Sequence, residues 1–130
     1  MRLLLDTHVL IWMLGHPNRV PATATALLRD QGNELVVSAV TAFELATKYR
    51  IGRLPQAHRV VMAYRDMLRS VGATELSISS HHGLVAGQLT WGHHDPFDRL
   101  LAAQSITEHL PLVTSDPVFA TVGGVRTVWE

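Results

Sequence analysis

The sequence predicts an α/β fold in which helices flank a mainly parallel central sheet. Short apolar runs of strand length alternate along the chain with segments of helical length. These segments are too short to form separate domains, so strands and helices must share one layered core. The chain has 130 residues, which is enough for a domain that buries roughly two-thirds of its unfolded surface. We therefore expect a single domain over residues 1–130.

The first half of the chain predicts two strands and three helices. Residues 3–5 are an apolar run that ends in polar residues, as a buried strand does, and residues 8–14 have the length of two helical turns. Glycine and proline residues separate this helix from a second one at 22–30. The apolar run 35–37 predicts the next strand, and after a short crossing we expect a helix at 41–50.

The second half predicts three more helices and three more strands. Apolar residues over 57–71 repeat with the spacing of one helix face, which indicates a single helix with its charged residues outward. A weakly alternating run at 76–78 indicates a third strand, and a helix follows at 80–89. The remaining predicted elements are a helix at 96–109 and strands at 112–114 and 126–129.

The composition limits the classes of protein to which this chain can belong. Eleven basic and eleven acidic residues give a net charge of zero, which argues against a strongly electrostatic nucleic-acid binder. The absence of cysteine excludes a nucleophilic thiol and a thiolate metal site. Only three apolar residues precede the first acid, too few for a signal peptide or a membrane span. We expect a cytoplasmic protein without a membrane partner.

The basic residues are unevenly distributed, although the net charge is zero. Six of the eleven basic residues lie between positions 48 and 69, and Asp66 is the one acid in that segment. These are Lys48, Arg50, Arg53, Arg59, Arg65 and Arg69. The segment is either a set of solvated helix faces or a local basic surface, and composition alone favours neither.

Four of the eleven acids lie where predicted elements meet. Asp6 follows the first strand, and Glu44 lies in the first turn of the helix after the second strand. Asp98 lies in the first turn of the helix at 96–109, and Asp116 comes two residues after the fourth strand. In a parallel sheet, strand ends and the starts of the following helices share one edge, so these carboxylates can converge.

Each of these acids also has a purely structural explanation. Asp6 can cap a helix, Asp116 fits a turn, and Asp98 suits the positive end of a helix dipole. Thr41 and Glu44 match a capping box. However, two carboxylates about 4 Å apart repel by about 4 kcal/mol at an effective dielectric of about 20. Four acids at one edge therefore indicate a bound cation.

Oxygen ligands favour Mg²⁺ or Mn²⁺, and Mg²⁺ commonly also binds a phosphate. Such a site activates water and stabilises the leaving oxygen, so phosphodiester hydrolysis is the natural reaction. A phosphatase or nuclease for other phosphate esters and a binding module whose acids are only caps are the alternatives. Zinc is disfavoured, because none of the eight histidines has the i, i+4 spacing of a helical zinc site.

Four segments together resemble PIN-domain ribonucleases, specifically the VapC-type toxins of bacterial type II toxin-antitoxin pairs. They are LLDTHVLIW at 4–12, SAVTAFE at 38–44, HDPFDRLLAAQ at 94–104 and LVTSD at 112–116. The four agree in order and spacing, and the similarity extends from residue 3 to about residue 119. The resemblance implies a PIN-like three-layer sandwich, with the parallel sheet between layers of helices.

The resemblance also implies a function. It implies a Mg²⁺-dependent endoribonuclease, with Mn²⁺ able to substitute, that cleaves cellular RNA and is neutralised by a small cognate antitoxin. A homodimer or a complex with the antitoxin is the expected assembly. The alternative is a non-catalytic or differently specific phosphate-binding PIN-like module. The family's acids match Asp6, Glu44, Asp98 and Asp116, with Thr114 or Ser115 nearby.

Each acid then has an expected role. Asp6 and Asp98 are expected to bind Mg²⁺ directly, and Glu44 to orient or deprotonate the attacking water. Asp116 is expected to complete a second metal position or to hold water in the outer shell. Asp95, in the same turn as Asp98, is expected either to cap the helix or to support the metal ligands from outside the site. The basic segment at 48–69 is expected to contact the phosphate backbone.

Overall fold

The computed structural model describes all 130 residues, and its five strands form one sheet. The strands are β1 (Arg2–Leu5), β2 (Glu34–Ser38), β3 (Ala73–Leu76), β4 (Leu112–Val113) and β5 (Thr127–Val128). Their order is β3-β2-β1-β4-β5, and every neighbouring pair is parallel. The predicted parallel α/β sheet is confirmed, with β1 at its centre.

Seven α-helices connect the strands. They are α1 (Thr7–Gly15), α2 (Ala22–Arg29), α3 (Ala39–Arg50), α4 (His58–Met62), α5 (Tyr64–Ser70), α6 (Ser80–Gln88) and α7 (Pro96–Thr107). Three short 3-10 helices, which the sequence analysis did not predict, each begin at a proline. None of the helices combines the length and the apolar character that crossing a bilayer requires.

The alternation of side chains along β1 divides the core into two parts. Leu3 and Leu5 belong to one buried cluster, which also contains Val9 of α1. Leu4 points to the other face and packs in a second cluster with Leu101 of α7. Helices therefore cover both faces of the sheet, as the three-layer prediction requires.

The prediction of one helix over 57–71 is wrong. The chain leaves the helical conformation at Ala63, with φ −128° and ψ 42°, and so forms α4 and α5 separately. Val60 and Leu68 are nevertheless both buried, so the apolar spacing continues across the break. Because neither glycine nor proline marks this position, periodicity alone could not reveal the interruption.

The start of α3 also differs from the prediction. Ser38 ends β2 and caps α3, with its Oγ accepting the Val40 N–H at 3.1 Å, so no separate crossing exists at 38–40. The helix begins two residues earlier than expected, and Glu44 lies in its second turn. The predicted capping box of Thr41 and Glu44 is therefore wrong.

The third strand lies earlier in the chain than predicted. Its register with β2 runs from Leu35 paired with Ala73, and β3 ends at the residue where the predicted strand began.

Candidate active site

Asp6 lies at the carboxyl end of the central strand, where it is 7% exposed. Its Oδ1 accepts the Thr7 N–H at 2.8 Å and so caps α1. Its Oδ2 accepts the Thr114 hydroxyl at 2.8 Å. Because β1 and β4 are neighbours, the residue after β4 lies beside the residue after β1. Burial raises the pKa of Asp6 and the charge of Glu44 raises it further, against the hydrogen bonds from Thr114 and Thr7.

Glu44 approaches Asp6 from the second turn of α3 and is equally buried. Its Oε1 accepts the Thr7 hydroxyl at 2.6 Å, and its Oε2 accepts the Lys48 ammonium at 2.5 Å. Thr7 thus contacts both acids, Asp6 through its backbone N–H and Glu44 through its side chain. A single residue at the start of α1 therefore orients two of the four predicted carboxylates.

Asp98 is the third acid at this edge and lies in the first turn of α7. Its Oδ2 is 2.7 Å from His93 Nε2, and its backbone N–H donates to Asp95 Oδ1 at 3.1 Å. The cap predicted for Asp95 is confirmed. Burial raises the pKa of Asp98 to about 6, against the His93 hydrogen bond and helped by the charges of Asp95, Asp6 and Glu44. Asp6, Glu44 and Asp98 therefore act on one another electrostatically.

Asp116 is placed differently from the other three acids. It is exposed, and its Oδ1 accepts the Val118 N–H at 3.0 Å, so its carboxylate caps a 3-10 helix. Its backbone N–H donates to the Thr114 hydroxyl at 3.0 Å, and that hydroxyl donates to Asp6. Asp116 is therefore linked to the site by its backbone N–H, through the Thr114 hydroxyl, and not by its carboxylate.

The donor chemistry of this edge fits a hard divalent cation. The raised pKa values of Asp6 and Asp98 show that their negative charges are unfavourable there, which a bound cation would relieve. As the side chains stand, no three acidic or histidine residues are arranged to hold one ion. The carboxylates instead bind the hydroxyl, ammonium and imidazole groups of Thr7, Thr114, Lys48 and His93. A shared ion therefore requires rotation of side chains.

Lys48 and His93 are site residues that the sequence patterns did not predict. The position of Lys48 four residues after Glu44 is the spacing of a helical ion pair and could have revealed that contact. No comparable signal exists for His93, because its contact with Asp98 depends on the path of a loop. Another histidine, His82, is buried and takes part in capping α6: its Nδ1 accepts the Ser79 N–H at 3.0 Å.

The basic residues at 48–69 divide into two groups. Lys48 is directed at the acids, with its ammonium on Glu44. The other five are exposed. These are Arg50, Arg53, Arg59, Arg65 and Arg69. The surface expected to contact a phosphate backbone is therefore accessible to solvent. Lys48 instead belongs to the acidic site, which is formed by Asp6, Glu44 and Asp98.

Arg99 holds the segment that carries His93. Its guanidinium donates to four carbonyl oxygens between α6 and the start of α7 at 2.7 to 3.1 Å. These belong to Ala86, Leu89, Trp91 and His93. Because the acceptors span eight residues that contain one helix end and a loop, this single side chain determines the path of the backbone before Asp98.

We expect Arg99→Lys to lower the free energy of unfolding by about 2 kcal/mol, because an ammonium cannot reach four divergent carbonyls and leaves some of them without a partner. Urea unfolding measures this loss. Arg126→Lys, at an exposed arginine, is the matched control and should change stability by less than about 0.5 kcal/mol. Equal stabilities for the two variants would show that the guanidinium contacts do not hold the segment.

Comparison with known proteins yields one family. The PIN domain family profile matches residues 3–125. Ribonuclease VapC22 of Mycobacterium tuberculosis (strain ATCC 25618 / H37Rv) is 31% identical over 113 residues, which cover 87% of this chain and 85% of that protein. Ribonuclease VapC16 of the same organism is 32% identical over 73 residues, 51% of this chain and 52% of that protein.

Solved structures share the fold at lower sequence identity. VapBC2 from Rickettsia felis, bound to a DNA fragment from its promoter, has a TM-score of 0.72 with 17% identity and covers 100% of both chains. DNA-bound VapBC from Salmonella typhimurium has a TM-score of 0.70 with 16% identity and covers 98% of this chain and 97% of that one. At these identities the likeness shows the fold alone.

Proposed function

The chain belongs to the PIN-domain family, in its VapC-type group, and from this membership we propose that it is a metal-dependent endoribonuclease toxin. One observation carries the proposal: Asp6, Glu44 and Asp98 gather at the carboxyl edge of the sheet, where burial, and after it the charges of neighbouring carboxylates, raise the pKa values of Asp6 and Asp98. This charge arrangement is unfavourable for a purely structural set of helix caps. It suits a site that binds a cation and a phosphodiester.

Asp6 and Asp98 are the residues that would hold Mg²⁺ or Mn²⁺, with Asp116 at the outer side of the site. The bound ion would polarise the phosphoryl group and stabilise the leaving oxygen. Glu44, oriented by the Thr7 hydroxyl, would accept the proton of the attacking water. Thr114 would keep Asp6 in place through its 2.8 Å hydrogen bond. The donor types and contacts of the chain's own residues support these roles.

RNA is the substrate that family membership favours, since VapC22 and VapC16 are named ribonucleases. The exposed arginines of α3 to α5 and the turn between α3 and α4 can contact the phosphate backbone, and these contacts weaken as salt increases. We also propose a small antitoxin as partner, because a neighbour in fold, from Klebsiella pneumoniae, is a toxin-antitoxin complex.

Cleavage assays on matched substrates test the proposal. We expect the purified protein with Mg²⁺ to cleave RNA and to leave DNA of the same sequence and a generic phosphate ester intact. Sequencing of the RNA ends identifies the bonds that are cut. Hydrolysis of the phosphate ester without RNA cleavage would instead support a differently specific phosphate-binding module.

Binding of the ion should be visible without any substrate. We expect millimolar Mn²⁺ to raise the melting temperature by about 2 to 5 °C, because a ligand that binds only the folded state stabilises it. Differential scanning calorimetry in EDTA and in Mn²⁺ measures the shift. If the melting temperature is the same in both, the acids have only structural roles and the proposed metal site is wrong.

A further inference from the structure

Lys48 places its ammonium group directly on the acidic site. Its ammonium contacts Glu44 Oε2 at 2.5 Å, and the other oxygen of Glu44 is taken by the Thr7 hydroxyl. The side chain of Lys48 is 28% exposed and that of Glu44 is 9% exposed, so solvent screens this pair less than an ordinary surface pair. The charge of Lys48 therefore acts strongly on Glu44.

The charge of Lys48 acts beyond Glu44. Partial burial lowers the pKa of Lys48, yet the hydrogen bond and charge of Glu44 and the charges of Asp95 and Asp98 leave that pKa raised. The ammonium thus stays protonated among carboxylates from two different helices, α3 and α7. It neutralises part of the same negative charge that would attract a divalent ion.

We propose that Lys48 is an exchangeable counter-ion, which pairs with Glu44 in the metal-free protein and binds a phosphate oxygen of the RNA once a divalent ion is bound. The inference rests on the proposed nuclease function. The ammonium covers one of the two acceptor positions of Glu44 Oε2, so separation of the pair opens this oxygen fully to the attacking water. An ammonium on a flexible four-carbon stem can then turn to a phosphate that enters beside it.

Binding of Mn²⁺ to the intact protein tests the first half of this proposal. We expect Lys48→Met, which keeps the length of the side chain and removes its charge, to bind Mn²⁺ about three- to tenfold more tightly by isothermal titration calorimetry, because a competing cation is lost. Lys48→Arg should bind Mn²⁺ like the wild type. Arg29→Met, at the exposed end of α2 and outside the basic segment at 48–69, is the matched control and should leave the affinity unchanged.

Cleavage at saturating Mn²⁺ tests the second half. We expect Lys48→Met to cleave RNA about 10- to 100-fold more slowly than the wild type, and Lys48→Arg to recover most of that loss. Unchanged or weaker Mn²⁺ binding by Lys48→Met would overturn the counter-ion role. Tighter binding with undiminished cleavage would overturn the phosphate contact. Wild-type protein that neither binds Mn²⁺ nor cleaves RNA would instead refute the proposed function on which both halves depend.

Discussion

Asp98→Asn is expected to reduce RNA cleavage by at least about a hundredfold, because it removes one of the two carboxylates proposed to hold the divalent ion. The amide is nearly isosteric with the carboxylate and can still accept a hydrogen bond from His93, so the local structure should persist. Initial rates on end-labelled RNA at saturating Mg²⁺ measure the effect. The same variant should no longer inhibit growth when it is expressed without an antitoxin.

Asp66→Asn is the matched control for this prediction. Asp66 lies in the first turn of α5, as Asp98 does in α7, but its side chain is 75% exposed and lies outside the acidic site. Its removal should leave cleavage within about twofold of the wild type, as expected for a surface change. Full activity of Asp98→Asn would contradict the proposed mechanism, and so would persistent growth inhibition by that variant.

The second large effect concerns the pH dependence of stability in the absence of metal. Burial, together with the charges of Asp95, Asp6 and Glu44, raises the pKa of Asp98 from 3.8 to about 6. Between these values the folded protein keeps a proton that the unfolded chain has lost. The resulting stabilisation is present at low pH and is lost as pH rises through about 6. For Asp98 alone this amounts to about 3 kcal/mol.

Urea unfolding in EDTA, for the wild type and Asp98→Asn from pH 4 to 7.5, isolates this contribution. We expect Asp98→Asn to gain stability relative to the wild type as pH rises, and to be the more stable protein at pH 7 by up to about 3 kcal/mol. A difference that does not change with pH would contradict the burial and repulsion argument. Marked destabilisation by the variant at pH 7 would show that Asp98 is mainly a structural residue of α7.

The sequence by itself determined the layered α/β architecture and the edge at which the acids lie. Alternating burial along β1 separates Leu3 and Leu5 from Leu4, and this pattern depends only on the geometry of a strand. The cap of α7 by Asp95 is equally local, since it joins residues three positions apart. Asp6 follows β1, and Asp98 lies at the start of the helix that leads back to the beginning of β4. In a parallel sheet both positions reach the carboxyl edge, so the convergence of Asp6 and Asp98 could be predicted.

The tertiary structure decided which groups form hydrogen bonds with each carboxylate. The Thr114 hydroxyl reaches Asp6 from 108 residues away, and this contact exists only because β4 lies beside β1. His93 meets Asp98 because Arg99 holds the intervening backbone. Local pattern describes neighbours within a turn of helix or along one strand, whereas these contacts depend on strand order and on the path of a loop. The break between α4 and α5 at Ala63 likewise has no signal in the residue types around it.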